Sequence, residues 1–368
     1  MKALALVPGT TEVSLRDYPE PALETPTQVK MKILEVGICG TDREEVKGGR
    51  ATPPSGKTHL VIGHEMLGIV TDTGPAVSGV APGDYGVFSV RRGCGKCIAC
   101  KNNRSDMCYT AEYKERGIKG LNGYETEYVV DEAQYFVKVP AAIRKIGVLT
   151  EPMSVAEKAI DEALQIQSAR LPEVRKEEWL NGKTALVAGL GAIGLLASVA
   201  LRLRGARVLG MDIVSEASGR PSILKQIGGE YVHGLQTNIL DFDDKFGQID
   251  FIFEAAGVAE LGFNLIDALG INGIYVMTGL PHEKRAVNIG GGELMTQMVL
   301  KNQVVLGSVN ASPRHFALAI ADLERAMVQW GGTMERLITT RVPFTEFVNA
   351  LDFRSDDDIK TVIQWNGD

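Results

Sequence analysis

Over residues 29–37 apolar and polar side chains alternate, Val29, Met31 and Ile33 against Lys30 and Lys32, which is the period of a strand with one buried face. Residues 1–8 are a short apolar stretch that reads as a first strand, and 66–70 and 83–88 read as further strands set off by glycines. Gly and Pro punctuate residues 1–140 throughout, so this region is predicted to be all-β, a partly closed barrel of short strands. From Glu151 the period changes. Residues 155–166 carry apolar side chains at helical spacing, and the charged stretch 172–178 reads as an exposed connection.

From Lys183 strands and helices alternate. Residues 184–188 are a buried strand, 193–203 an apolar helix and 207–212 the next strand. Residues 249–254 and 273–277 follow at the spacing of a doubly wound parallel sheet. Helical periodicity returns over 315–330, and 344–365 is expected to rejoin the first domain. No internal repeat or low-complexity segment interrupts the pattern.

Composition narrows the class. A chain of 368 residues with 45% hydrophobic content is long enough for about two cores. Mean hydropathy is near zero, and no apolar run approaches the ~18 residues of a membrane span. Residues 1–8 are too few for a signal peptide. A net charge of −7 without a basic cluster argues against nucleic acid as a partner. Cysteines at metal spacing suit a reducing compartment better than a disulfide framework, so a soluble, cytoplasmic protein is expected.

Four of the five cysteines fall in Cys94-x2-Cys97-x2-Cys100-x7-Cys108. Two-residue gaps let a tight loop turn successive thiolates inward, and a longer excursion brings back the fourth for a closed tetrahedral zinc site. The fifth, Cys39, opens Cys39-Gly40-Thr41-Asp42, and Gly63-His64-Glu65 follows. Cys39 offers a thiolate, His64 an imidazole, and Glu65 and Glu151 carboxylates. Catalytic zinc keeps three protein ligands and an open position. Two zinc ions are therefore expected, one structural and one catalytic. Thr41 is placed to relay the proton of a metal-activated alcohol, and Asp42 to hold the far nitrogen of His64.

Gly189-Leu190-Gly191-Ala192-Ile193-Gly194 follows a buried strand and opens a helix. The three glycines serve a tight turn, close approach to a pyrophosphate and close helix–sheet packing. The helix N-terminus supplies free N–H groups for the phosphates. Asp212 ends the second strand, where a carboxylate accepts hydrogen bonds from both ribose hydroxyls and repels a 2′-phosphate. NAD is favoured and NADP remains possible, because Arg220 is close in sequence.

In this order, the Cys39 patch, Gly63-His64-Glu65, the four-cysteine lobe, Glu151-Pro152 and the glycine loop resemble the zinc-dependent medium-chain alcohol dehydrogenase superfamily. Within it the chain is most similar to archaeal-type glucose (aldose) 1-dehydrogenases. The likeness lies in Cys39 to Glu44, Arg91-Arg92-Gly93-Cys94, Glu115-Arg116-Gly117-Ile118, Glu151-Pro152 with Glu157-Lys158, and Leu306-Gly307-Ser308-Val309-Asn310. The resemblance implies an α/β chain with an N-terminal GroES-like β-barrel catalytic domain and a Rossmann doubly wound nucleotide-binding domain. The expected division is 1–180 catalytic with the zinc lobe, 181–309 nucleotide-binding, and 310–368 returning to the catalytic domain.

The resemblance also implies hydride transfer from C1 of an aldopyranose to NAD(P), giving the lactone. The catalytic zinc is held by Cys39, His64 and either Glu65 or Glu151. Thr41 touches the reacting oxygen, and Glu115, Asn310 and Glu151 serve the sugar. Asn310 also faces the nicotinamide half, and Ala256 and Leu280 complete the expected cofactor-binding positions. A homodimer or homotetramer is expected, since open-edged nucleotide domains of this superfamily pair across subunits.

There are departures. Glu44 stands where many alcohol dehydrogenases carry a relay His, Val90 where some glucose enzymes carry Asn, and Leu300 where some carry His. Asp212 replaces the neutral residue followed by arginines of NADP-preferring members. Two other readings share much of the pattern: a polyol or amino-alcohol dehydrogenase with the same metal set, and a non-catalytic dinucleotide-binding protein.

Overall fold

The computed structural model describes residues 1–281, 286–352 and 355–365. It divides into two compact units. The first contains Met1–Ser154, Asn310–Glu324 and the chain from Ile338 on; the second contains Val155–Val309 and Arg325–Leu337.

The first unit is built on the strand Gln28–Gly37, whose buried faces carry Val29, Met31, Ile33 and Val36. It pairs antiparallel with Glu65–Thr73 along one edge. Along the other edge it pairs with Tyr128–Glu132 near its start and Lys360–Gln364 near its end. Tyr85–Phe88 and Phe136–Lys138 extend the sheet on one side, and Ile338–Pro343 on the other. Leu4, Leu6, Ile62, Phe88, Tyr124, Ile363 and Trp365 fill the core. A short sheet of Arg91–Arg92, Lys114–Arg116 and Gly120–Leu121 stands apart.

The second unit is a six-stranded, all-parallel sheet. Its order is Glu230–His233, Arg207–Asp212, Thr184–Ala188, Ile249–Glu254, Leu269–Met277 and Val304–Gly307. Strand order reverses beside Thr184–Ala188, the switch point where ligands of such sheets bind. The two outer strands escape the sequence pattern: Glu230–His233 has only Val232 fully buried, and Val304–Gly307 is a half-exposed edge.

The expected boundary at residue 180 differs from the observed one. The division falls inside the helix Thr150–Arg170, longer than the predicted 155–166. Past Ser154 its side chains bond within the second unit: Glu157 to Arg204, Gln167 to the carbonyl of Asn272, and Arg170 to that of Asn302. The segment expected to return as one piece, 310–368, is also split. Arg325–Leu337 groups with the second unit, where Arg325 donates to the carbonyl of Leu203 and Thr333 to Gln226. Of that segment, 353–354 and 366–368 lie outside the described residues.

Candidate active site

Cys39 caps the helix Gly40–Glu45, and its backbone N–H donates to Oδ2 of Asp42 at 2.7 Å. This reciprocal cap fixes the thiol and the carboxylate together at one helix end. His64 precedes the strand Glu65–Thr73, so its ring and the Glu65 carboxylate enter from the sheet. Ligand atoms of Cys39, His64 and Glu65 lie within 4.8 Å of one another. A thiolate, an imidazole and a carboxylate at that spacing form a donor set that suits catalytic zinc.

The surroundings tune these groups. Oδ1 of Asp42 stands 3.3 Å from Nδ1 of His64, which leaves Nε2 for a metal. Burial disfavours charge on both, yet their mutual attraction wins: Asp42 is held below, and His64 pushed well above, its ordinary range. Lys360 donates to both oxygens of Glu65, at 2.8 and 2.6 Å, and to the carbonyl of Ile38. Gly37 is required here, since a Cβ would meet Oε2 of Glu65 at 2.3 Å.

Glu151, in the first turn of Thr150–Arg170, is buried near His64 and Glu65, but lies outside the close three-ligand group. Burial raises it to about 7. Thr41 is half-buried in the first turn of the Cys39 helix. Two buried carboxylates that the sequence did not single out, Glu45 and Glu125, also feel the charges of Asp42 and His64. Burial pushes Glu45 to about 9 and Glu125 well above the usual range.

Glu115 and Asn310 meet directly, Nδ2 of Asn310 donating to Oε1 of Glu115 at 2.8 Å. Asn310 adopts φ 63°, a left-handed conformation that Asn tolerates better than most residues. The four lobe thiols, Cys94, Cys97, Cys100 and Cys108, also lie within 4.8 Å of one another. Gly93 permits this, since a Cβ would stand 2.4 Å from Sγ of Cys100. The Thr110 hydroxyl draws Cys94 down to about 6, and burial pushes Cys100 up to about 12. Such a set binds zinc by giving up thiol protons.

In the second unit, Gly189 has φ 88° and a Cβ there would strike Ala256, while a Cβ on Gly194 would stand 1.8 Å from the carbonyl of Gly189. Gly191, the cap of the helix Ala192–Leu203, faces open space. The loop thus leaves room above a free helix N-terminus, a fit for a pyrophosphate. Asp212 accepts from the N–H of Leu190 at 2.8 Å and of Ile213 at 2.7 Å, and Arg220 stands 3.6 Å away. Leu280 is half-exposed, its carbonyl close to Gly257. Glu254, read from the sequence only as a strand end, is buried and binds the N–H groups of Gly257 and Gly279.

Residues 25–141 match the alcohol dehydrogenase GroES-like domain, and residues 144–365 the glucose dehydrogenase C-terminus. Glucose 1-dehydrogenase of Thermoproteus tenax is 37% identical over 365 residues, and that of Methanocella arvoryzae 36% over 369, each alignment covering 99% of both chains. The structure of Haloferax mediterranei glucose dehydrogenase in complex with NADP, Zn and gluconolactone is similar over 100% of both chains, with TM-score 0.88 and 31% identity. Galactitol-1-phosphate dehydrogenase of Escherichia coli shares the fold at TM-score 0.79 and 22% identity.

Proposed function

Because the chain belongs to the glucose dehydrogenase family of GroES-like alcohol dehydrogenases, we propose that it oxidises an aldopyranose, glucose or a close relative, at C1 with NAD(P). The observation that carries this reading is the group Cys39, His64 and Glu65, three ligand atoms of mixed chemistry gathered within 4.8 Å. Zinc, when bound, polarises the C1 oxygen and favours its deprotonation.

The chain's own residues do the rest. Cys39, His64 and Glu65 would hold the metal, with Glu151 as the alternative carboxylate. Asp42 fixes the tautomer of His64, and Lys360 balances the charge of Glu65. Oγ1 of Thr41 relays the hydroxyl proton, and Glu151, raised to about 7, is suited to take it near neutral pH. A bound NAD(P) would accept the hydride from C1 as the C1–oxygen bond becomes the lactone carbonyl. Glu115 and Asn310 receive sugar hydroxyls. The glycine loop seats the pyrophosphate, beside Ala256 and Leu280, and Asp212 receives the adenosine ribose.

Asp212 favours NAD, while Arg220 beside it tempers the repulsion of a 2′-phosphate, so NADP is accepted as the poorer cofactor. Self-association follows from the open sheet edge Val304–Gly307 and the exposed Met295, Val299 and Leu300 nearby in the chain. No described helix is long and apolar enough to cross a membrane. All five cysteines are free thiols, which suits a cytoplasmic setting.

The test is product identification. Zinc-loaded protein incubated with D-glucose and NAD should give the 1,5-lactone and its hydrolysis product, gluconate, by NMR, together one molecule per NADH formed; NADH with neither product contradicts C1 oxidation.

A further inference from the structure

Arg91 and Arg92 form one short strand, in which successive side chains point to opposite faces. Arg92 turns to Asp131 and the ring of Tyr135. Arg91 turns to Glu115, and its buried guanidinium has every nitrogen engaged. Nε and Nη2 donate to Oε1 of Glu115 at 3.1 and 2.8 Å. Nη1 donates to the backbone carbonyl of Asp106 at 2.7 Å. The ring of Tyr113 lies against the guanidinium, 4.0 Å from centroid to carbon. Asp106 belongs to the turn Ser105–Met107 inside the cysteine lobe, where Arg104 grips its side chain.

Oε1 of Glu115 therefore accepts three N–H groups, two from Arg91 and one from Asn310. That fills its capacity, and among the described residues no hydrogen bond reaches Oε2, which is left for a sugar hydroxyl. Two N–H groups of one planar guanidinium converge on Oε1, with Asn310 as a third donor, and hold that oxygen with a directionality that an ammonium lacks. We propose that Arg91 is a positioning residue for sugar binding: it sets the orientation of Glu115, using the backbone of the cysteine lobe as its anchor. The inference rests on the reading that Glu115 and Asn310 receive the sugar.

Glu115→Gln, Arg91→Met, Arg91→Lys and the Glu115→Gln/Arg91→Met double variant test it. For each, the sugar KM, the binding of glucono-1,5-lactone by calorimetry and the binding of NADH by fluorescence are measured. Arg91→Met should weaken lactone binding and raise the sugar KM roughly tenfold, with NADH binding unchanged; Arg91→Lys, which keeps the charge but not the fork, should lie between. The double variant should bind lactone no more weakly than Glu115→Gln within about twofold, because Arg91 acts through Glu115.

Three results overturn the inference while leaving the sugar-site reading intact. One is impaired Glu115→Gln beside normal Arg91 variants. Another is a double variant whose loss is the product of the single losses. The third is NADH binding that falls in step with lactone binding in Arg91→Lys, which marks a general structural role. Normal lactone binding in Glu115→Gln brings down the reading of the sugar site itself, and the inference with it.

Discussion

Lys360 and Glu65 stand 295 positions apart in the chain, yet the ammonium donates to both oxygens of the carboxylate, at 2.8 and 2.6 Å. Both side chains are buried. The last described strand thus supplies a cation to the first unit's candidate metal site. Lys360→Met leaves a buried carboxylate without its counter-charge, a loss of about 3–5 kcal/mol for such pairs. The loss should be larger in zinc-free than in zinc-loaded protein, because a metal ion on Glu65 returns positive charge. Denaturation with and without zinc reads the difference; equal losses contradict Glu65 as a ligand.

Cys39→Ser and His64→Ala should abolish turnover and leave NADH affinity within about twofold of wild type, since each removes metal-site chemistry located in the first unit. Fluorescence titration with NADH checks this. Lost NADH binding in either variant contradicts the division of labour between the units.

Asp212 holds the N–H of Leu190 in the glycine loop and faces Arg220. Asp212→Ala should raise the Michaelis constant for NAD and improve that for NADP, shifting the NAD/NADP ratio of kcat/KM about tenfold or more, the worth of one charge-assisted contact. Steady-state kinetics with both cofactors decide it. A wild-type preference for NADP contradicts the role given to Asp212.

The metal groups were legible because thiols and imidazoles are rare and their spacing is informative. Cys94, Cys97, Cys100 and Cys108 lie in one loop, and Cys39 and His64 carry motifs that single them out. The glycine loop was legible for the same reason, since a strand precedes it and a helix follows. Lys360 and Glu254 were not, and Arg91 stood out only as part of a motif, without a role. A lysine or arginine carries no signature of its partner, and the bonds of Lys360 to Glu65 depend on a tertiary return that periodicity does not register. The choice between Glu65 and Glu151 depends on positions in space, which spacing along the chain does not give. The strands Glu230–His233 and Val304–Gly307 escaped because each is four residues long, too short for its period to stand out.

Glu45 gives a pH signature. Both of its carboxylate oxygens are buried without a hydrogen-bond partner among the described residues, and burial raises the group to about 9. Between the unfolded value of 4.5 and that pH, the folded protein holds a proton that the unfolded chain has released. Stability from this group therefore falls as pH rises, by up to ~1.4 kcal/mol per unit. Glu45→Gln removes that slope, so its advantage over wild type should grow from pH 5 to pH 8. Urea denaturation at both values tests it; a constant difference contradicts the protonated assignment.

The most direct measurement is the initial rate of NADH formation by zinc-loaded protein with D-glucose and, in parallel, with sorbitol. A rate with glucose and little with sorbitol is the predicted result, because the site is assigned to the anomeric carbon of a ring sugar. A rate with sorbitol and little with glucose contradicts the account and places the chain's chemistry among polyol oxidations.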